Sequence, residues 1–230
     1  MIWRKNPGRQ HAAMWFDALL RFAGTSMSAQ LEKPTGWIGR LVISRWLDKG
    51  NAALNEFCIG RMNLAAKDRV LEIGFGSGRT IAEMARTAGF VAGVDFSPEM
   101  VESAKSWNRR AIAEGRVDIR NAAVSALPFD DASFDKVYTA NTIYFWPRPA
   151  QDAREVMRVI KPGGKLYLGF RPRHIMEQLP KQIIDSRFTP YSPDELGKLF
   201  TDAGFPQIEI ESRVEDGSLD SYCAIITRPA

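Results

Sequence analysis

The sequence is poor in the residues that most often bind metals or form disulfide bridges. Only two of its 230 residues are cysteines and only two are histidines. The cysteines, Cys58 and Cys223, have no partner at the spacing of a metal-binding motif. Both are typical of buried thiols in a reducing compartment, so we expect a cytoplasmic protein without a metal site.

Long apolar runs and blocks of like charge are also missing. Basic residues precede the stretch from Ala12 to Ala23, which superficially resembles a signal peptide, but Asp17 and Arg21 interrupt it. We therefore expect neither export nor a membrane-spanning segment. The net charge is only +4 and is scattered along the chain, which argues against nucleic acid as a partner.

The composition and the pattern of short apolar runs predict one α/β domain. Hydrophobic residues make up 45% of the chain and charged residues 25%, the balance of an ordinary folded protein. From Arg69 onward, β-rich runs alternate with helical patterns, which predicts a mostly parallel sheet flanked by helices. The last two runs have a short connection and should pair antiparallel. The predicted strands are 69–73, 90–95, 117–121, 134–141, 164–170, 207–213 and 221–227.

The organisation of the chain follows from where this alternation begins and ends. Residues 1–62 do not follow it and are predicted to form a helical cap or lid, whereas 63–230 form the α/β core. Ser97 and Ser192 each precede a proline and mark helix starts. Residues 173–191, between the fifth strand and the second of these helices, are predicted to be a substrate lid.

Three alternate glycines form the sharpest local signal in the chain. Gly74, Gly76 and Gly78 follow an apolar strand and precede an amphipathic helix. Glycine there allows a tight turn and the close approach of a ligand to the backbone. Asp95 ends the next strand, where a carboxylate can accept hydrogen bonds from both hydroxyls of a ribose. The combination predicts a nucleoside site at the carboxyl edge of the sheet.

The charges near this loop help to choose between two nucleosides. Dinucleotide sites usually have the pattern G-x-G-x-x-G, which this loop lacks. Glu72 precedes the first glycine, and its carboxylate would repel a pyrophosphate but suit an ammonium and a sulfonium. We therefore favour S-adenosylmethionine over NAD, with a structural hydrogen bond that closes the turn as the alternative role of Glu72. An NAD-dependent oxidoreductase and a non-catalytic nucleoside-binding protein stay as alternative functions.

Five motifs in order carry a resemblance to a known family. Between Val70 and Phe170 the chain resembles the class I S-adenosylmethionine-dependent methyltransferases of the small-molecule type. The resemblance implies a Rossmann-like, seven-stranded, mostly parallel sheet with an antiparallel last strand. The motifs are Glu72-x-Gly74-x-Gly76-x-Gly78, Asp95 with Ser97-Pro98-Glu99-Met100, Leu127-Pro128-Phe129, Ser133-Phe134-Asp135 and Arg158-Val159-Ile160-Lys161-Pro162-Gly163-Gly164.

The resemblance also implies a role for each residue of the cofactor site. Glu72 and the glycine loop would hold the methionine part, Asp95 the ribose, and Phe96 and Met100 the faces of the adenine ring. The family usually has an aspartate at the position of Ala123, where it binds the adenine amino group. Backbone groups of Ala123 and Val124, or the Ser125 hydroxyl, would take its place.

The implied reaction is transfer of a methyl group from S-adenosylmethionine to a small-molecule acceptor by in-line displacement, which leaves S-adenosylhomocysteine. Alignment in a dry site is the main requirement, and a general base helps when the acceptor is an alcohol, a phenol or a protonated amine. Asn141 would lie beside the transferred methyl. Asn141, Tyr144 and His174 are the candidate catalytic residues, and packing of the helix start against the sheet is the alternative for this segment.

Apolar residues of 1–62 and 173–191 are predicted to build the acceptor pocket. Their aromatic content suits an apolar or lipid-like acceptor, although aromatics at helical spacing are also typical of a core. A second reading of the N-terminal amphipathic face is peripheral contact with an anionic membrane surface. The oligomeric state is left open.

Overall fold

The computed structural model describes residues 44–177, 188–214 and 220–230. The features predicted for the first 43 residues, including the amphipathic stretch from Ala12 to Ala23, lie outside these ranges. So do the middle of the predicted lid, at 178–187, and residues 215–219.

Seven strands form one mixed sheet with the order β3-β2-β1-β4-β5-β7-β6. The strands β1 to β5 are parallel to one another. Strand β7 is antiparallel to β5, and β6 is antiparallel to β7. The predicted fold class is therefore confirmed. The strands are β1 (Arg69–Ile73), β2 (Phe90–Asp95), β3 (Val117–Asn121), β4 (Phe134–Ala140), β5 (Ile160–Phe170), β6 (Gln207–Arg213) and β7 (Ser221–Thr227).

Two strand boundaries differ from the sequence prediction. Strand β4 ends at Ala140 because Asn141 has a φ of 55°, which extended backbone does not allow. Strand β5 begins at Ile160 rather than at residue 164, because Ile160 already pairs with Phe134 ahead of an irregular register. The first correction matters for function, since the left-handed residue is a candidate site residue.

Helices cover both faces of the sheet. The described helices are α1 (Ser44–Met62), α2 (Arg79–Met84), α3 (Pro98–Ala113), α4 (Pro149–Val159), α5 (Arg173–Met176) and α6 (Pro193–Asp202), with a 3-10 turn at Ile143–Phe145. The predicted starts of α3 and α6 are confirmed. The Ser97 hydroxyl accepts a hydrogen bond from the amide of Met100, and Ser192 forms a capping box with Glu195. None of the described helices is long and apolar enough to cross a membrane.

Successive residues of a strand point to opposite faces of the sheet, so their side chains pack in two separate cores. Leu71 and Val137 pack in the core beneath α4 and α6. Val70 and Tyr138 pack in the core beneath α1, α2 and α3. Burial on both faces explains the nearly continuous apolar runs of these strands.

Helix α1 joins the second core directly. It buries Leu54, Cys58 and Met62 in that core and packs against β4, β5 and β7. Cys58 and Cys223 are both buried and free, as expected. The last part of the predicted cap therefore lies along the sheet, with Gly50 and Asn51 next to the carboxyl ends of β4 and β5.

Candidate functional site

The turn between β1 and α2 is built from backbone that glycine allows. Gly76 and Gly78 have φ values of 54° and 75°, in the left-handed region that other residues adopt only at a cost. At Gly78 an added Cβ would lie 2.5 Å from the Ala104 Cβ, so glycine lets α3 approach the loop. At Gly76 an added Cβ would meet nothing within 4 Å. The space in front of Gly76 is therefore open to a ligand.

An amide on α3 holds the same loop from outside. The Asn108 Nδ2 donates to the Gly78 carbonyl oxygen at 2.9 Å and to the Ala104 carbonyl oxygen at 2.9 Å. Asn108 is 3% exposed. Sequence reasoning missed this residue, because its partner on the loop lies 30 positions away in the chain.

Glu72 supports the loop from inside the sheet. It is 4% exposed, and its Oε1 accepts a hydrogen bond from Thr80 Oγ1 at 2.5 Å. Thr80 lies in the first turn of α2, so this bond ties the two ends of the glycine turn together. The structural bond considered for Glu72 is thus present. Its contact with the cofactor stays a prediction.

Asp95 faces the glycine turn from the end of β2. Its Oδ2 accepts a hydrogen bond from the Gly76 amide at 3.0 Å, and its Oδ1 accepts one from the Ser97 amide at 2.9 Å. Burial raises the pKa of the Asp95 carboxyl to about 6, while the two backbone donors act in the opposite direction. Each carboxylate oxygen accepts more than one hydrogen bond, so both can still bind hydroxyls of a ribose.

The residues predicted to contact adenine lie in different environments. Phe96 is 40% exposed, whereas Met100 is 2% exposed and packs in the core beneath α3. Ala123 is exposed, and its carbonyl accepts a hydrogen bond from the Ala126 amide. Val124 is buried among core residues. Phe96 and Ala123 are therefore accessible, whereas the side chains of Met100 and Val124 are buried.

Asn121 is a further residue of this region that the sequence did not single out. Its Nδ2 donates to the Asp95 carbonyl oxygen at 2.8 Å, and the Ala122 amide donates to the same oxygen at 3.1 Å. These bonds fasten the end of β3 to the end of β2. In the sequence, only its position as a polar amide at the end of a predicted strand could have indicated this role for Asn121.

Asn141 and Tyr144 are brought together at the end of β4. The Asn141 Nδ2 donates to Asn51 Oδ1 at 2.9 Å, and the Asn141 Oδ1 lies 3.1 Å from the Tyr144 hydroxyl, which donates to it. The Tyr144 hydroxyl also accepts from the Arg171 amide at 2.6 Å and lies 3.0 Å from the Arg171 carbonyl oxygen. We call Asn51, Asn141, Tyr144 and Arg171 the polar corner.

The environment of Tyr144 holds its phenol neutral. The side chain is 2% exposed, and its ring stacks on Phe188 with the ring centroids 4.4 Å apart. Burial raises the pKa of Tyr144 well above its usual value. In this structure the hydroxyl positions neighbouring groups and does not readily lose its proton.

Arg171 connects the polar corner to the rest of the protein. It follows β5 directly and is only 5% exposed. Its guanidinium donates to the Gly50 carbonyl oxygen at 2.9 Å and to the Asp220 carbonyl oxygen at 3.3 Å. The arginine therefore joins α1, the end of β5 and the start of β7.

His174 lies on α5 and is exposed. Its ring meets the Tyr222 ring edge to face, with centroids 6.5 Å apart. Tyr222 in turn contacts Phe170 at the end of β5. The structure thus places His174 beside β5 and β7, while Asn141 and Tyr144 contact each other directly.

The arrangement around the glycine loop fits S-adenosylmethionine. An added Cβ at Gly76 would meet nothing within 4 Å, and the Asp95 carboxylate, which accepts from the Gly76 amide, has further hydrogen-bonding capacity for a ribose. The seven-stranded sheet with this loop and this carboxylate has the architecture of a class I methyltransferase domain.

Comparison with known proteins agrees with this class. Residues 71–168 match the model of the methyltransferase domain family. The match and the fold together support a methyltransferase domain of the class I kind, with S-adenosylmethionine as its cofactor, in this part of the chain.

Two curated methyltransferases are examples of relatives that are similar to the chain. The 27-O-demethylrifamycin SV methyltransferase of Amycolatopsis mediterranei is 34% identical over 55% of this chain and 47% of its own length. The ubiquinone/menaquinone biosynthesis C-methyltransferase of Geotalea daltonii is 34% identical over 49% of each chain. This chain thus spans about half the length of both relatives.

The structural comparison supports the fold. A Haloferax volcanii methyltransferase, solved in complex with the Trm112 methyltransferase activator, superposes with a TM-score of 0.72 at 22% identity, over 82% of this chain and 94% of that one.

Proposed function

We propose that this protein transfers a methyl group from S-adenosylmethionine to a small-molecule acceptor by in-line displacement and releases S-adenosylhomocysteine. The observation that carries the proposal is the contact between the Asp95 carboxylate and the amide of Gly76, a glycine at which an added Cβ would meet nothing within 4 Å. When bound, the cofactor supplies a sulfonium whose methyl group is the electrophile. The bond from methyl to sulfur breaks as the bond from methyl to acceptor forms.

The residues of this chain would bind, orient and exclude water. Asp95 would accept hydrogen bonds from the ribose hydroxyls, and Phe96 would cover the adenine. Glu72, which braces the loop through Thr80, would place its negative charge near the methionine ammonium. Asn141 would orient the acceptor beside the methyl group. Such positioning is the main source of rate for a displacement with a good leaving group.

A hydroxyl acceptor would need a place for its proton. His174 is exposed near the end of β5, and a neutral imidazole has a ring nitrogen that can accept a proton. We propose it as the general base for such an acceptor, with Asn141 and Tyr144 in orienting roles. A thiolate acceptor would need no base.

An apolar acceptor of moderate size suits the aromatic wall near the polar corner. Phe145 and Phe188 meet edge to face with centroids 5.3 Å apart, and Tyr144 stacks on Phe188. The names of the two relatives, a demethylrifamycin enzyme and a ubiquinone/menaquinone enzyme, are consistent with an acceptor that contains a ring. We therefore place phenols and quinols first among the acceptors to test, and the proposed membrane contact of the N-terminal segment would give access to a lipid-like quinol.

Calorimetry with S-adenosylmethionine, S-adenosylhomocysteine and NADH tests the cofactor first. We expect binding of the two adenosyl compounds and none of NADH; the opposite pattern would support an oxidoreductase. Labelled methyl transfer to a panel of quinols, phenols, amines, thiols and lipids tests catalysis. If the adenosyl compounds bind but no member of the panel receives the label, a non-catalytic nucleoside-binding function is favoured.

A further inference from the structure

Helix α1 reaches the polar corner with two consecutive residues. Gly50 contributes its carbonyl oxygen, which accepts from the Arg171 guanidinium, and Asn51 contributes its side chain, which accepts from Asn141. Arg171 is almost completely buried, and its bond to Gly50 holds the helix at this position. The segment ahead of the α/β core therefore supplies part of the site.

The bonds of Asn141 define how its amide is oriented. An asparagine amide has one end that donates and one that accepts, and a half-turn about its last torsion exchanges them. Here the donating end meets Asn51 and the accepting end meets the Tyr144 hydroxyl. The second N–H of the Asn141 amide and the second lone pair of its oxygen can therefore bind a ligand.

The Tyr144 hydroxyl does not by itself fix the orientation of the Asn141 amide. The Tyr144 hydroxyl accepts from the Arg171 amide and has the Arg171 carbonyl oxygen within 3.0 Å as a second acceptor for its proton. A reversed Asn141 amide could therefore donate to the same hydroxyl. The choice depends on the group that Asn51 presents.

The backbone of Asn141 makes this choice important. Its φ of 55° sets the direction in which the side chain leaves the end of β4, and its amide N–H is bound to the Gly169 carbonyl at 2.9 Å. With the backbone held, rotation of the terminal amide is the main remaining freedom of the side chain. Asparagine tolerates this left-handed conformation better than most residues do.

We infer that Asn51 is a positioning residue of the methyl-transfer site: its side-chain oxygen selects the orientation of the Asn141 amide. This inference rests on the proposed function in so far as Asn141 lies beside the transferred methyl group. It adds a residue from the N-terminal helix to a site otherwise built from the carboxyl edge of the sheet.

Helix α1 offers a matched control. Asn55 lies one turn after Asn51 on the same helix, and its Oδ1 accepts from the Tyr138 hydroxyl at 2.8 Å. Tyr138 is buried in the core beneath α1. Asn55→Ala therefore removes a comparable bond between α1 and the sheet without touching the polar corner.

The first test observes the Asn141 amide directly by NMR. Its side-chain resonance is assigned as the one that disappears in Asn141→Asp. We expect Asn51→Ala to shift this resonance, and Asn51→Asp to leave it near its original position, because an aspartate retains only acceptors. Asn55→Ala should not move it. An unchanged Asn141 resonance in Asn51→Ala would overturn the inference, whether or not the protein is a methyltransferase.

The second test measures the effect at the methyl position. In sinefungin a carbon with an ammonium group replaces the methylated sulfonium, so the ratio of its affinity to that of S-adenosylhomocysteine reports on this position. We expect Asn51→Ala to lower the ratio by about two- to tenfold, the effect of one misdirected hydrogen bond. Asn51→Asp should restore or exceed the original ratio, and Asn55→Ala should leave it unchanged.

The two tests separate the inference from the proposed function. If wild-type protein binds neither compound, the proposed function fails, while the NMR result still shows whether Asn51 acts on the Asn141 amide. If both compounds bind and the ratio is the same in all variants, the role of Asn51 in the site is refuted. Thermal melts of Asn51→Ala and Asn55→Ala show whether the two lose similar stability.

Discussion

The two halves of the candidate site are built in different ways. The glycine-loop half, which comprises Glu72, Gly74, Gly76, Gly78 and Asp95, depends on backbone groups and comes from two neighbouring strand ends. The polar corner depends on side chains from α1 and from the ends of β4 and β5. The first half is therefore fixed by local turn geometry, while the second depends on contacts between distant parts of the chain.

The largest effect should come from filling the loop where it packs against the α3 backbone. Gly78→Ala places a Cβ against Ala104 and also strains a φ of 75°. We expect the free energy of unfolding to fall by about 2–5 kcal/mol, from overpacking and left-handed strain together. Urea denaturation followed by circular dichroism measures the change.

Gly76→Ala is the matched control for this prediction. Its Cβ has open space, so only the strain at a φ of 54° applies, and the cost should be about 1–2 kcal/mol. Affinity for S-adenosylhomocysteine should nevertheless fall, because the methyl group enters the ligand space. Equal stability costs for the two variants would refute this account of the loop.

The pH dependence of Asp95 gives the next largest effect. Its pKa is about 6 in the folded chain against an ordinary 3.8, so the folded chain binds the proton more tightly. The contribution of this group to stability therefore increases as the pH falls from 6 to 4, by up to about 3 kcal/mol. The unfolding free energies of wild type and Asp95→Asn are measured across this range. Their difference isolates the contribution of Asp95 from that of the other carboxyls.

Cofactor binding should show the opposite trend. A protonated Asp95 accepts hydrogen bonds from ribose hydroxyls less well, so the affinity for S-adenosylhomocysteine should fall as the pH drops below about 6. Calorimetry between pH 5 and pH 8 tests this. A flat profile would mean that Asp95 does not bind the ribose.

Removal of the Asp95 carboxylate should weaken cofactor binding at neutral pH. Asp95→Ala leaves the ribose hydroxyls without their acceptor, and we expect a loss of about 1–3 kcal/mol in binding free energy. Asp202→Ala, which removes an exposed carboxylate paired with Lys198 on α6, is the control. Unchanged affinity in Asp95→Ala would show that the ribose lies elsewhere.

The smallest effect should separate the two halves of the site. Tyr144→Phe keeps the stacked ring but leaves the buried Arg171 amide without its acceptor, at a cost of about 1–2 kcal/mol in unfolding free energy. Affinity for S-adenosylhomocysteine should stay within about twofold, since the polar corner does not hold the ribose. A loss as large as that of Asp95→Ala would contradict the division into two halves.

The sequence predicted the glycine-loop half in detail and the polar corner only in part. Strand-end position marked Asp95, and the alternate glycines marked the turn, because such turns require particular residues at adjacent positions. Asn141 and Tyr144 were predicted from their place after β4. Asn51, Asn108 and Asn121 were not, since an asparagine in a helix or at a strand end gives no sign of a distant partner.

Local chemistry thus determined by itself the α/β class, the helix starts at Ser97 and Ser192, and the glycine turn after β1. These features depend on apolar period, capping groups and glycine, all of which are encoded within a few neighbouring residues. Only the tertiary structure decided that Asn51 and Arg171 meet Asn141 and Tyr144. Their contacts span as many as 90 positions and exist because α1 packs on the face of the sheet where β4 and β5 end side by side.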